Sequence, residues 1–170
     1  MGRVIKKLWN GLTSVLVLLM LILALLLAGP KLIGLQAYAV LSGSMEPTYP
    51  VGSLLYVREV DTAQLEAGDV ITYVLNENTL ATHRIAEVVI GEDGTVCFRT
   101  KGDANETADA VLVEPGQVLG TPVLSIPYLG HLAQEVQTKA GTYRVIGLAA
   151  VLALMIVLPE LFTKKIKSEK

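Results

Sequence analysis

Cysteine is nearly missing from this chain of 170 residues. Its single cysteine, Cys97, excludes an intrachain disulfide framework and a cysteine-rich zinc site. Only 18% of the residues are charged and 52% are hydrophobic, whereas a disordered chain needs the opposite balance. The chain is not basic overall and has two phenylalanines, so nothing points to nucleic acid as a partner. Neither a metal nor an organic cofactor is implied, because no ligand cluster, P-loop or dinucleotide fingerprint occurs.

Charge and hydrophobicity are both distributed unevenly along the chain. Residues 1–30 carry net +3, residues 31–142 net −8 and residues 143–170 net +3, which together give the overall −2. Between Lys7 and Lys31 lie 23 uncharged residues, mostly Leu, Val and Ile. A helix of that length spans about 30 Å or more, which is the thickness of a bilayer core.

We interpret residues 8–30 as an uncleaved transmembrane anchor. A buried core helix is one alternative, but a leucine surface on all sides of so long a helix suits lipid better. A cleaved secretory signal is the other alternative. Against it, the apolar stretch 15–28 is as long as the apolar region of a secretory signal can be. Residues 29–31 (GPK) also lack the pattern of small residues that marks a signal cleavage site.

A second apolar segment, Val145–Pro159, has only 15 uncharged residues. It becomes a span over residues 141–163 if Arg144 reaches one interface and Glu160 lies at the other. The alternative is one span plus a helix lying in the interface. With two spans, the positive-inside rule places the basic tails 1–7 and 164–170 in the cytoplasm. Residues 31–140 are then expected on the outer side of the plasma membrane.

Short runs typical of β-strands fill residues 31–140. They cover 38–41, 53–60, 69–75, 82–90, 95–100 and 117–124, with Gly91–Gly94 as a hairpin loop. Leu129–Val136 predicts a short amphipathic helix. The predicted fold is therefore mainly β: a small antiparallel barrel or folded sheet, flanked by an N-terminal and a C-terminal transmembrane helix.

The residues that could carry chemistry lie in this β-rich domain. Ser44 follows a glycine after a predicted strand, and a serine nucleophile needs a base within hydrogen-bond reach. The only histidines are His83 and His131, and Asp103 and Asp109 lie on one polar loop. Taken alone, these could equally be a turn serine, a sheet histidine and solvated acids. A catalytically silent, membrane-anchored β-domain that scaffolds exported proteins therefore stays open.

Several motifs together resemble a known family. They are SGSMEPT at 42–48, GD at 68–69, THRI at 82–85, TKGDAN at 100–105 and PYLG at 127–130. In this order they resemble the type I signal peptidases, and within them the endoplasmic-reticulum type, also found in archaea and some Gram-positive bacteria. The resemblance covers residues 38–130, which is nearly the whole exterior domain.

The resemblance implies a role for each matching residue. Ser44 matches the nucleophile, and His83 stands where the ordinary bacterial type has a catalytic lysine and the endoplasmic-reticulum type a histidine. For the triad aspartate the resemblance leaves two candidates: Asp109 matches the position favoured in the endoplasmic-reticulum type, with Asp103 then a supporting residue, and Asp103 is the alternative. The Ser42 hydroxyl matches a group that forms the oxyanion hole together with the Ser44 backbone N–H.

The implied function is that of a membrane-bound serine endopeptidase, which removes N-terminal signal peptides from exported precursors through an acyl-enzyme. Leu41, Met45 and strand residues near Ile71 are expected to form the walls of the pockets for small substrate side chains. A rival from the same reaction class is a Ser/Lys protease that uses Lys101 as its base.

Overall fold

The computed structural model describes residues 3–77, 79–91 and 94–168, with side chains except at 3, 137 and 158–168. The chain divides into two compact units, Met1–Gly29 with Glu135–Lys170 and Pro30–Gln134. Glu92 and Asp93 of the predicted hairpin loop lie outside the described residues, as do residues 1–2 and 169–170 of the predicted basic tails.

The first unit contains two long helices, α1 (Arg3–Leu32) and α3 (Lys139–Ser168), each of 30 residues. The segments Val4–Leu32 and Lys139–Val157 are long and apolar enough to cross a membrane. Only 6% of the apolar window of α1 is buried inside the structure. The two helices are joined by a hydrogen bond of 2.8 Å from the Trp9 indole N–H to the Met155 carbonyl oxygen.

The second unit is built on one antiparallel sheet of six strands. The strands are β1 (Leu35–Ala39), β2 (Leu54–Arg58), β3 (Val70–Asn76), β4 (Thr79–Ile90), β5 (Val96–Lys101) and β6 (Val118–Ile126), in the order β1-β2-β6-β3-β4-β5. The predicted antiparallel β structure is confirmed. The helix α2 (Leu129–Gln137) follows β6, in agreement with the predicted amphipathic helix.

The sheet is folded at β6. Val118 and Gly120 pair with β3, whereas the residues from Thr121 onward pair with β2. Gly120 has φ +145°, and a Cβ atom there would lie 2.0 Å from the Arg58 carbonyl oxygen, so only glycine fits this bend.

The predicted barrel is not confirmed. β1 and β5 are the two ends of the strand order, and the described residues form no ladder between them. The first strand also begins earlier than predicted, at Leu35 instead of Tyr38, because Leu35–Ala39 pair in register with β2. Of the two predicted architectures, the folded sheet is the one observed.

The core lies on one face of β3, β4 and β5. Alternation along these strands directs their apolar side chains to the same side. The cluster of buried residues consists of Leu65, Ile71, Tyr73, Ile85, Phe98 and Val113. The strands that carry His83 and Thr100 are therefore fixed by a packed core, which makes the positions of their polar side chains well defined.

Candidate active site

The candidate nucleophile lies on a tight turn after β1. Ser42 is extended, and Gly43–Met45 then form a 3₁₀ turn closed by the Glu46 N–H donating to the Gly43 carbonyl oxygen at 3.0 Å. Met45 is buried and anchors the turn. Because the N–H groups of a first helical turn have no acceptor within the helix, the Ser44 N–H is available to an external acceptor.

The loop after β5 packs directly on this turn. The Ala104 N–H donates to the Ser44 carbonyl oxygen at 2.9 Å, and the Thr48 hydroxyl donates to Asp103 at 2.5 Å. A Cβ atom on Gly102 would lie 2.6 Å from the Ser44 carbonyl oxygen. The SGSMEPT and TKGDAN motifs, which are distant in sequence, therefore form one structural unit.

His83 lies between a hydroxyl and a carboxylate. It stands on β4 opposite Ile71, with its side chain 13% exposed. Its Nε2 is 3.1 Å from the Ser44 Oγ, and its Nδ1 is 2.6 Å from the Asp109 Oδ2. Serine, histidine and aspartate thus form a continuous hydrogen-bonded chain, which is the arrangement that activates a serine hydroxyl.

Two further hydroxyl groups, neither of them predicted from the sequence, donate to the same carboxylate. The Thr100 hydroxyl lies 2.6 Å from the Asp109 Oδ2, and the Tyr73 hydroxyl lies 3.5 Å from it. Burial raises the pKa of Tyr73, so its hydroxyl stays protonated and able to donate. Thr100 opens the TKGDAN motif, and alternation along β5 could have placed it on the face of His83.

The second carboxylate of the loop has a different partner. Asp103 receives two hydrogen bonds from Arg84, at 2.9 Å from Nε and 2.7 Å from Nη2. Arg84 also donates to the Gly68 carbonyl oxygen at 2.8 Å. These hydrogen bonds hold the pKa of Asp103 below its usual value and raise that of Arg84. Asp109 contacts His83, whereas Asp103 ties the nucleophile segment to the arginine beside that histidine.

The remaining candidate residues are placed as follows. The Ser42 hydroxyl oxygen lies 3.4 Å from the Ser44 Oγ. Lys101 stands opposite Arg84 on β5, and no hydrogen bond joins it to Ser44 in the part of the chain that the structure describes. His131 is exposed, and its ring lies over Gly52.

A cleft of about 680 Å³ runs past the Ser44 and His83 side chains. Its apolar lining includes Tyr38, Leu41, Met45, Leu55, Leu80 and Ala81. Leu41, Met45 and Thr72, the strand residue next to Ile71, line the cleft as expected, whereas Ile71 itself is fully buried in the core. No group of three metal-ligating side chains occurs among the described residues. The site therefore combines a polar triad with a cleft that has a partly apolar lining.

Comparison with known proteins gives a consistent set of relatives. No family model matches the chain. It is 39% identical over 109 residues to signal peptidase I W of Bacillus subtilis, covering 62% of this chain and 57% of that protein. It is 33% identical over 99 residues to the human signal peptidase complex catalytic subunit SEC11C, covering 54% and 52%.

A third relative extends the comparison to another eukaryote. The chain is 38% identical over 79 residues to the signal peptidase complex catalytic subunit sec11 of Dictyostelium discoideum, covering 46% of this chain and 44% of that protein. The chain thus spans about half the length of the curated relatives it matches. The resemblance found in the motifs is confirmed: the homologues of this chain are signal peptidases of the endoplasmic-reticulum type.

Proposed function

We propose that this chain is a membrane-bound serine endopeptidase that removes N-terminal signal peptides from exported precursors. The observation that carries the proposal is the chain of hydrogen bonds from the Ser44 Oγ through His83 to Asp109, at 3.1 and 2.6 Å, beside an apolar cleft. The names of the relatives, which are signal peptidases, supply the substrate class.

The reaction proceeds through an acyl-enzyme. His83 Nε2 takes the proton of the Ser44 hydroxyl as its oxygen attacks the scissile carbonyl, and Asp109 stabilises the imidazolium that forms. The Ser44 N–H and the Ser42 hydroxyl donate to the oxyanion. The imidazolium then gives its proton to the leaving amine. Water, activated by the same histidine, hydrolyses the ester and releases the signal peptide.

The cleft supports an extended substrate with small side chains next to the cut. β1 is an edge strand whose Tyr38 and Ala39 line the cleft, so a peptide could add to its free edge through main-chain hydrogen bonds. The neighbouring Leu41, Met45 and Ala81 offer shallow apolar walls. Such walls suit the small residues at positions −1 and −3 of the A-x-A cleavage pattern.

The two apolar helices and the basic tails support a membrane topology with two spans. Residues 8–30 and 141–163 span the plasma membrane, the tails 1–7 and 164–170 are cytoplasmic, and residues 31–140 form the extracytoplasmic catalytic domain. The lipid bilayer then holds both the enzyme and the apolar region of the signal peptide. The cleavage site therefore reaches the catalytic domain at the outer surface.

The topology is tested by thiol labelling of intact cells with a membrane-impermeant reagent. Both variants are made in a Cys97→Ala background, so that each carries a single cysteine. In intact cells we expect labelling of Glu106→Cys, which lies on the exposed loop after β5, and no labelling of Lys7→Cys until the cells are lysed. Labelling of both positions in intact cells would contradict the two-span arrangement.

The activity is tested with the full chain in detergent and a precursor that carries an A-x-A signal peptide. Ser44→Ala, His83→Ala and Asp109→Asn are each expected to lower kcat by about 10⁴-fold or more, because the three groups act as one unit. His131→Ala is the matched control for histidine loss, and Ser125→Ala, on β6 outside the cleft lining, is the control for serine loss.

The outcome separates the proposal from its rivals. If Ser44→Ala cleaves as fast as the unaltered chain, the silent scaffolding domain becomes the better explanation. If His83→Ala stays active while Lys101→Met is inactive, the Ser/Lys reaction replaces the Ser/His/Asp one. Loss of activity in the three variants, with both controls active, supports the proposal.

A further inference from the structure

The Asp109 carboxylate has more donors than the reaction requires. One oxygen, Oδ2, accepts from the His83 Nδ1 at 2.6 Å, from the Thr100 hydroxyl at 2.6 Å and from the Tyr73 hydroxyl at 3.5 Å. Tyr73 and Thr100 are also within 3.2 Å of each other through their hydroxyl oxygens. Two hydroxyl groups that play no part in proton transfer therefore converge on the atom that contacts the catalytic histidine.

The sheet register explains why they meet there. Ile71 pairs with His83 and Ile85 pairs with Thr100, so Tyr73 and Thr100 are each diagonal neighbours of His83 on one face of β3, β4 and β5. The Tyr73 ring stands edge-on to the His83 ring, with centroids 6.4 Å apart. Strand geometry therefore fixes the two hydroxyl groups independently of the loop that carries Asp109.

Asp109 itself lies on a loop without regular structure, with its side chain 25% exposed. Thr100 is fully buried and contacts Asp109 twice: its carbonyl oxygen accepts from the Asp109 N–H at 2.8 Å, and its hydroxyl donates to the carboxylate. A buried hydroxyl is costly unless it is hydrogen-bonded, and a hydrogen bond to an ionised group is a strong one. A side chain on a rigid strand thus anchors a carboxylate on an irregular loop.

We propose that Thr100 is a positioning residue for the triad, supported from behind by Tyr73. Its hydroxyl holds the Asp109 carboxylate in the rotamer that contacts His83 and prevents it from turning toward solvent. The inference rests on the proposed function, because it gives Thr100 a kinetic role that operates only through Asp109. Neither hydroxyl touches the substrate or the reacting atoms.

The test is a double-mutant cycle with Thr100→Val, which keeps the shape of the side chain and removes its hydroxyl. In the unaltered background we expect kcat to fall about tenfold to a hundredfold with KM unchanged, the effect of losing a hydrogen bond to a charged group. Thr100→Ser, which keeps a hydroxyl, is expected to retain kcat within a few-fold. In an Asp109→Asn background, Thr100→Val is expected to cause no further loss.

Two more variants control for simple loss of structure. Thr72 is also a buried threonine, but its hydroxyl pairs with Thr82 at 2.8 Å, so any effect of Thr72→Val should be the same in both backgrounds. Tyr73→Phe keeps the ring against His83 and removes one hydroxyl. Its expected loss in kcat is severalfold, and it too should vanish in the Asp109→Asn background. Thermal melting checks that each variant is folded.

The outcomes are distinct. Equal losses from Thr100→Val in the two backgrounds, or a loss with Thr100→Ser as large as with valine, would overturn the positioning role while leaving the triad in place. If Thr100→Val does not fold, the Tyr73→Phe cycle decides by the same criterion. If Asp109→Asn alone keeps full activity, the assignment of Asp109 fails, and the role of Thr100 fails with it.

Discussion

The contact between Gly102 and the nucleophile turn predicts a large effect from adding a single methyl group. In Gly102→Ala the new Cβ atom would lie 2.6 Å from the Ser44 carbonyl oxygen and 2.8 Å from the Asn105 side chain. Ordinary contact needs about 3.4 Å, so one of the two segments must move by about 0.8 Å. The Ser44 carbonyl oxygen cannot yield freely, because it also accepts the Ala104 N–H at 2.9 Å.

A displacement of this size should be seen mainly in the rate. Misplacing a reacting group by about 1 Å costs on the order of 10²-fold, so we expect kcat for precursor cleavage to fall about 10- to 100-fold. Overpacking also costs about 1–3 kcal/mol of folding free energy, which lowers the melting temperature while leaving the protein folded. The assay is steady-state cleavage of an A-x-A precursor in detergent, together with thermal unfolding of the same samples.

Gly116→Ala is the matched control. No atom lies within 4 Å of the position that its Cβ would take, so this variant should keep the kcat and the melting temperature of the unaltered chain. A Gly102→Ala variant with unaltered kcat and stability would refute the argument that this loop sets the position of Ser44, the proposed nucleophile. A fall in melting temperature with unaltered kcat would show that the loop supports folding only.

Three further predictions concern neighbouring contacts. Asp103 has a lowered pKa because of Arg84, so its stabilising effect is present above about pH 4 and is lost as the pH falls through its folded value. Asp103→Asn should therefore cost about 1 kcal/mol at pH 7 and less in acid, as measured by unfolding at several pH values. Lys101→Met should keep kcat within about threefold; a loss of several orders of magnitude would restore lysine as the base. Gly52 has φ +82° and lies under the His131 ring, so Gly52→Ala should lower the melting temperature through both backbone strain and a steric clash. Adding His131→Ala should relieve the clash but leave the backbone strain, which is about 1–2 kcal/mol.

Local sequence patterns predicted most of the elements but not their exact limits. Alternating apolar residues and glycine turn signals indicated the strands because side-chain direction in a strand depends only on the two-residue repeat. The first strand was placed three residues late, since Leu35–Ala39 is defined by pairing with β2 and not by its own composition. Whether the sheet closes into a barrel also depends on how strands distant in sequence pair, which local patterns do not show. In the described residues, β6 changes its pairing partner at Gly120 and the sheet folds there.

At the site, the motifs indicated which residues matter but not how they are connected. Spacing alone left Asp103 and Asp109 as alternatives, because two carboxylates on one loop can turn to either side. Pairing of β4 with β5, together with the fold of the loop, separates them: Asp109 lies at 2.6 Å from His83, and Asp103 meets Arg84. The partner of each carboxylate is therefore decided by the strand residue that it contacts, which is His83 for Asp109 and Arg84 for Asp103.

By itself, the sequence predicted the membrane-compatible helices and the antiparallel β character, and the family resemblance of its motifs led us to expect Ser44 and His83 together at one site. These features depend on composition, on the two-residue alternation of apolar side chains and on motifs, all of which are local in sequence. The tertiary structure alone decided the folding of the sheet and the convergence of Thr100 and Tyr73 on one carboxylate oxygen. Those contacts join residues that are 9 and 36 positions from Asp109, and they depend on the register of the strands that carry Thr100 and Tyr73 together with the path of the loop that carries Asp109.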